Sequence, residues 1–351
     1  MNCCTNCFKD KEIIGFIFSN STIVGTCNYC KKENVELIDP RELEEMFLPV
    51  INIYNTVSKL SITVSNKMKL SEKLQTDWKI FNLKSLRVRN NLIQDIVSGT
   101  IRSNDPLFND YVEISVLHNI AIDANLHERK WENFAYEIKS SNRFFLRQTV
   151  DLDLLRKLLR VHEKTYNKGK MFYRARISGK EGFSTKEMGK PPVEKTTSGR
   201  ANPSGIPYLY VSATQKTTEY ESRSSYLDYI TIGTFKLIEN LSVISLREIQ
   251  NISPFVLGDD VENYVVHQKY LARLERELSK PVRRFDKELD YLPTQYLCEY
   301  VKSLNYDAIE YGSALHKGGI NLAIFNDNKT ECKSVEVFEI DSVELHLEKV
   351  I

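Results

Sequence analysis

The sequence changes character after Lys168, and that change limits the architectures open to it. Residues 42–53, 71–81, 110–124 and 152–165 carry apolar side chains at three- and four-residue spacing, the period of a helix with one buried face. Asp39-Pro40 predicts a helix start, with Asp39 as N-cap and Pro40 in the first helical position. Beyond Lys168 short β-prone runs take over at 171–177, 208–211, 229–235, 241–245, 308–311 and 322–325. They are joined by glycine- and proline-containing connections and by a helix expected over 261–278. Short strands, irregular connections and a few helices predict an α+β fold for this part. The expected division is 1–38, 39–165 and 166–351.

Composition narrows the function classes. The 48 basic and 47 acidic side chains leave a formal net charge of +1, so nucleic acid is not indicated as a partner. No run approaches the roughly 18 consecutive apolar residues of a membrane span, and no membrane association is expected. The N-terminus lacks the basic segment, apolar run and small-residue cleavage site of a signal peptide. A cytoplasmic location is therefore expected, and with it a reducing environment.

In such an environment clustered cysteines point to metal before disulfides. Five of the seven (Cys3, Cys4, Cys7, Cys27 and Cys30) fall in the first thirty residues. Cys4-x-x-Cys7 and Cys27-x-x-Cys30 are separated by nineteen residues, a length that fits a β-hairpin bringing two knuckles together. Two residues between thiolates let a tight turn present both sulfurs to one ion, and two turns complete a tetrahedron. A structural Zn²⁺ in a zinc ribbon is predicted. Cys3 competes with Cys4, which has the cleaner spacing.

Four features stand out in the C-terminal half. Phe172-Tyr173-Arg174-Ala175-Arg176 is a strand with two arginines on one face, suited to phosphate or carboxylate. Gly199-Arg200-Ala201-Asn202-Pro203-Ser204-Gly205 is a turn-rich loop leading into Tyr208-Leu209-Tyr210-Val211, where Tyr208 and Tyr210 share a face by alternation. Such tyrosines stack on a planar ring or fill core. Next, Thr217-Thr218-Glu219-Tyr220-Glu221-Ser222-Arg223 belongs to a helix that starts after Ala213-Thr214, so Glu219 and Glu221 cannot share a face. Last, a loop of small and polar residues from Tyr311 to Asn321 precedes an apolar strand, a position where loops often carry function.

In this order the features resemble the RES domain family, named for its Arg, Glu and Ser positions. The likeness also takes in Tyr291-Leu292-Pro293-Thr294-Gln295 and extends over about 155 residues, 171–325. It implies a fold like that of ADP-ribosyltransferase toxins, two strongly twisted sheets around an NAD⁺ cleft. It also implies an enzyme that degrades NAD⁺ by hydrolysis or phosphorolysis, acting as a toxin or defence effector that a partner antitoxin neutralises. Carried over, it makes Arg174, Tyr210, Glu221 and Ser313 the catalytic set. Arg176, Arg200, Asn202, Tyr208 and Asn321 become substrate-binding candidates, and Glu219 has no matching role. The region before the domain resembles, more loosely, the HEPN-like helical segment found with some RES domains. Arg156 and His162 have the spacing of a HEPN nuclease pair but lack its usual polar neighbour. A helical scaffold for regulation or assembly, including a homo-oligomer, is the better reading. Two other functions fit the same residues: ADP-ribosyl transfer to a macromolecule, and a non-catalytic zinc-containing adaptor.

Overall fold

Asp10 starts a helix directly after the first cysteine pair. Its carboxylate accepts hydrogen bonds from the backbone N–H of Glu12 (2.9 Å) and Ile13 (3.3 Å), capping α1 (Lys11–Asn20). This helix replaces the hairpin expected between the cysteine pairs. The apolar run beginning at Ile13 suits strand or helix by periodicity, and the cap decides between them. Only a short strand of the stretch is extended: β2 (Ile23–Gly25) joins β1 (Cys3–Cys4) and β3 (Val35–Ile38) in a sheet ordered β1-β3-β2.

The computed structural model describes residues 1–61, 66–115, 121–247, 249, 252–280 and 288–343. It divides into two compact units, residues 1–127 with 250–270, and residues 128–249 with 271–351. In the first, Asp39 accepts from the Arg41 N–H (3.0 Å) and Pro40 opens a 3₁₀ turn that runs into α2 (Glu44–Asn52). Then follow β4 (Tyr54–Thr56), α3 (Val57–Leu60), α4 (Leu70–Trp78), α5 (Leu86–Ile96) and α6 (Pro106–Asn109). The helix expected over 110–124 is corrected in part. Val112 and Ile114 are buried with Glu113 between them half-exposed, and this alternation forms β5 (Val112–Ile114), antiparallel to β4. Residues 116–120 of that expectation lie outside the described residues, and α7 (Ala121–Ser140) follows. Among the described residues no helix is long and apolar enough to cross a membrane.

The second unit is the α+β part. Asp151 caps α8 (Leu152–Arg160), which ends five residues before the helix expected to reach Thr165. The chain turns at Val161-His162 and becomes β6 (Glu163–Tyr166) because of a distant residue. Glu310 is buried, and β6 supplies it with the Lys164 ammonium (3.1 Å) and the Tyr166 hydroxyl (2.5 Å). A buried carboxylate without such partners would be costly, and that outweighs local helical spacing. His162 of the HEPN-like pair is half-buried, and its partial desolvation lowers its pKa to about 4 and keeps the ring neutral. Arg156 is exposed on α8.

The remaining elements are β7 (Met171–Ser178), β8 (Leu209–Ser212), α9 (Gln215–Ser222), β9 (Tyr229–Leu237), β10 (Leu241–Ser245), α10 (Val261–Ser279, of which the part from Leu271 belongs to this unit), α11 (Leu292–Ser303), β11 (Ala308–Gly312), β12 (Ile320–Ile324) and β13 (Thr330–Glu339). Eight strands form one sheet in the order β13-β9-β7-β8-β12-β11-β10-β6. Its apolar face buries Phe172, Leu209, Phe235, Val243, Leu322 and Ile324 in one core. The sheet has a weak seam. β7 pairs with β9 along its whole length, but meets β8 at a single residue pair, Tyr173 with Ser212. A three-stranded half and a five-stranded half therefore diverge from that point.

Candidate active site

Where β7 and β8 separate, backbone groups that a continuous ladder would satisfy need other partners. The Ala175 N–H donates to Thr218 Oγ1 (2.8 Å), so the first turn of α9 is drawn against β7 at the fork. Thr214 caps that helix through the Thr217 N–H (3.2 Å), and its last turn carries Glu221 into the gap. The result is a cleft of about 310 Å³ lined by Arg174, Arg200, Tyr210, Glu221, Arg223 and Asn321, among others. That volume is at the lower end of small-molecule sites.

Glu221 is held by a chain of hydrogen bonds with one consistent polarity. Ser212 Oγ donates to Asn321 Oδ1 (2.8 Å), which leaves the Asn321 amide nitrogen to donate to Glu221 Oε1 (2.8 Å). Ser313 Oγ donates to the same carboxylate oxygen (2.6 Å) while accepting from the backbone N–H of Leu315 (3.2 Å) and His316 (3.0 Å). The loop reaches this position because residue 319 is glycine. A Cβ there would lie 2.7 Å from Thr217 Cγ2 and 2.9 Å from the His316 carbonyl, and Gly319 O accepts the Ser313 N–H (2.9 Å). Glu219, on another face of α9, is not a lining residue.

Two basic groups are anchored by backbone carbonyls. Arg174 donates to Gly189 O (3.0 Å) and Arg200 to Leu278 O (2.9 Å) near the C-terminus of α10. Burial lowers the Arg174 pKa to about 10, with the nearby Arg176 charge adding to the effect, and the group remains cationic at neutral pH. Tyr210 donates its hydroxyl to Asn202 Oδ1 (2.7 Å) and accepts the Ala201 N–H (3.1 Å), so its ring is fixed at the cleft wall. Burial raises its pKa well above the ordinary phenol value and keeps it neutral. Gly199 permits this contact: a Cβ would stand 2.4 Å from Asn202 Oδ1 and 2.9 Å from the Tyr210 hydroxyl.

Of the residues singled out in the sequence, Arg174, Arg200, Tyr210, Glu221 and Asn321 line one cavity. Ser313 stands behind Glu221, and Asn202 behind Tyr210. Arg176 and Tyr208 are placed elsewhere. Arg176 donates to Glu187 O (2.5 Å) with its guanidinium over the Phe183 ring (4.1 Å). Tyr208 precedes β8, is buried against Phe325 and donates its hydroxyl to Glu299. Strand alternation does not extend to it, because β8 begins at Leu209.

Other residues at the site carried little signal. Ser212 lines the cleft from just beyond the stretch singled out in sequence, and Thr218 and Tyr311 line it from within such stretches where they had no assigned role. Thr294 and Gln295 lie in a stretch that was legible, without a role. Both are buried and hold the 198–205 loop in place. Thr294 Oγ1 donates to Arg200 O (2.7 Å), and Gln295 Nε2 faces Ser198 Oγ (2.8 Å), Gly199 O (2.8 Å) and Asn202 O (3.0 Å). Gln295→Glu sets a carboxylate against these oxygens in place of a donor. It is expected to cost about 3 kcal/mol of stability, read as a fall in Tm. An unchanged Tm would mean that the loop is held by other contacts.

The N-terminal cysteines form a second constellation. The sulfurs of Cys4, Cys7, Cys27 and Cys30 all lie within 4.8 Å of one another, with Cys4–Cys30 and Cys7–Cys27 both at 3.5 Å. A tetrahedron with Zn–S bonds of about 2.3 Å has edges of about 3.8 Å, so the four thiols fit that ion. Cys3 is buried outside the group.

Comparison with known proteins yields two findings. The sequence model of the family described as the RES domain matches residues 171–348. Among solved structures, the chain is similar to one in the crystal structure of the M. tuberculosis MbcT–MbcA toxin–antitoxin complex, at 12% identity and a TM-score of 0.33, covering 53% of this chain and 92% of that one. No curated protein matches.

Proposed function

The chain belongs to the RES domain family, and from that premise we propose that its cleft binds NAD⁺ and breaks the nicotinamide–ribose bond. The observation that carries this reading is one carboxylate, Glu221, fixed by Ser313 and Asn321 in a cavity that also presents Arg174, Arg200 and the Tyr210 ring. Nicotinamide departs from a cationic pyridinium and takes the bonding electron pair with it, so its departure needs little acid catalysis. The barrier lies in the oxocarbenium-like ribose, as in other glycosidic cleavages. An anion preorganised beside that sugar offsets the growing positive charge, and two donors on one oxygen hold the Glu221 carboxylate in one orientation. Arg174 and Arg200 would fix the pyrophosphate, and Tyr210 would cover the nicotinamide ring. Ser313 would act through Glu221. Water adds to the anomeric carbon and loses a proton in a hydrolase; phosphate takes its place in a phosphorylase.

Such an enzyme, active on a central metabolite, would be a toxin or defence effector of the cytoplasm, restrained by an antitoxin-like partner. The four N-terminal thiolates would hold one structural Zn²⁺. The test is to incubate the purified chain with NAD⁺, with and without phosphate, and to separate the products. Release of nicotinamide with ADP-ribose, or with its 1-phosphate when phosphate is present, is expected. Absence of nicotinamide release would overturn the proposal, and label passing from NAD⁺ onto protein would replace it with ADP-ribosyl transfer.

A further inference from the structure

We propose that Arg223 is the outer half of a pyrophosphate clamp at the mouth of the cleft, a subsite that rests on the NAD⁺ reading for its ligand. Arg223 ends α9 in the left-handed region, at φ 51° and ψ 32°. Helices commonly end with such a residue, and glycine is the usual choice because it has no Cβ to clash there. An arginine in that conformation is disfavoured by its backbone, and such residues persist where the side chain is needed. Here the residue lines the cleft, two positions from Glu221, with Ser222 between them also at the wall. The spacing matches the chemistry of the ligand. In NAD⁺ the nicotinamide ribose joins its pyrophosphate through a single C5′ carbon and its oxygen. A carboxylate at the ribose and a guanidinium at the phosphate must therefore be close neighbours.

The charge balance agrees. Arg174, Arg200 and Arg223 are lining residues beside a single carboxylate, Glu221, a predominantly basic wall suited to the negative charge of a dinucleotide pyrophosphate. Arg174 and Arg200 are half-buried and Arg223 is exposed, which places Arg223 at the rim. The clamp thus has an inner side and an outer side. Guanidinium groups suit it because their planar forks bind phosphate oxygens in pairs.

The test compares wild type, Arg223→Gly and Arg223→Lys by calorimetry with inorganic pyrophosphate, ADP-ribose and nicotinamide riboside as probes. Arg223→Gly should weaken pyrophosphate and ADP-ribose about 10- to 100-fold, the range of a lost charge-assisted contact, and Arg223→Lys should weaken them less. Affinity for the riboside, which has no phosphate, should stay at the wild-type value. The Tm of Arg223→Gly should not fall by more than about 2 °C, because glycine is at ease in the left-handed region. Equal pyrophosphate affinity in wild type and Arg223→Gly overturns the clamp, as does a wild-type protein that binds no pyrophosphate. A riboside loss as large as the pyrophosphate loss also overturns it, since the residue would then be structural. Arg223-dependent pyrophosphate binding without NAD⁺ cleavage would keep the subsite and remove the cleavage reading. NAD⁺ cleavage with an unchanged KM in Arg223→Gly would do the reverse.

Discussion

Glu221→Gln is expected to lower the rate of NAD⁺ cleavage by about 10²–10³, the effect of removing one preorganised electrostatic contact from a transition state. The substitution keeps the shape of the side chain and removes its charge. Ser313 and Asn321 now donate to one oxygen of a carboxylate, at 2.6 and 2.8 Å. Both can still donate to the amide oxygen of glutamine, so the fold and the loop from Ser313 to Gly319 should persist. The loss should therefore appear in kcat, with Tm nearly unchanged. Glu219→Gln is the matched control, since that side chain lies outside the cleft lining. Ser313→Ala should give a smaller loss than Glu221→Gln, because Asn321 still orients the carboxylate. Near-normal turnover in Glu221→Gln with loss in Glu219→Gln would move the catalytic carboxylate to the other face of α9.

Much of this site was legible because its residues are closely tied to local signals. Glu221 and Glu219 differ by two positions on a helix whose start at Thr214 could be read, so only one of them could face the cleft. The Gly-Gly step before Asn321 marks a loop that must pack without side chains, and Gly319 does so against Thr217. What could not be read is where two strands part company. Nothing in the sequences of β7 and β8 indicates that they share a single pair, Tyr173 with Ser212, yet the cleft exists because of it. Thr218 has a role there only because the Ala175 N–H has no ladder partner on that side.

The fold shows the same division between local and distant causes. Runs of apolar residues mark the strands of the core, and each falls within a few residues of its expected place. β13 (Thr330–Glu339) gave no such signal. It is an edge strand with mostly exposed side chains, paired with β9 across a register shift at Cys332–Ser334, and charged residues suit that position. β6 reads as the end of a helix, since the carboxylate that draws Lys164 and Tyr166 into a strand lies more than 140 residues away at Glu310. Helix α1 is the converse case: the deciding group, the Asp10 carboxylate, is local, but an apolar run that fits both periods hides it.

Replacing Cys7 and Cys30 together with serine is expected to release one Zn²⁺ per chain and to open residues 1–38 to proteolysis. The sheet of this segment has strands of two to four residues, and α1 buries only Ile13 and Ile17. Apolar area on that scale does not offset the entropy of ordering nearly forty residues. Four thiolates around zinc do, because the metal binds only when the two knuckles are brought together. Its binding free energy, about 10–16 kcal/mol in small zinc-binding peptides, then becomes folding free energy. The Cys7–Cys27 and Cys4–Cys30 contacts at 3.5 Å pair a sulfur of one knuckle with a sulfur of the other, so removing Cys7 and Cys30 breaks both pairs. A shell of four thiolates has no open position for water or substrate, so an ion held there would be structural. No cysteine lines the cleft, so removing the zinc with a chelator should leave the initial rate of NAD⁺ cleavage unchanged, and elemental analysis of the untreated protein should find one zinc per chain. Metal-replete protein without zinc, or residues 1–38 as protease-resistant in the double variant as in wild type, would refute the assignment.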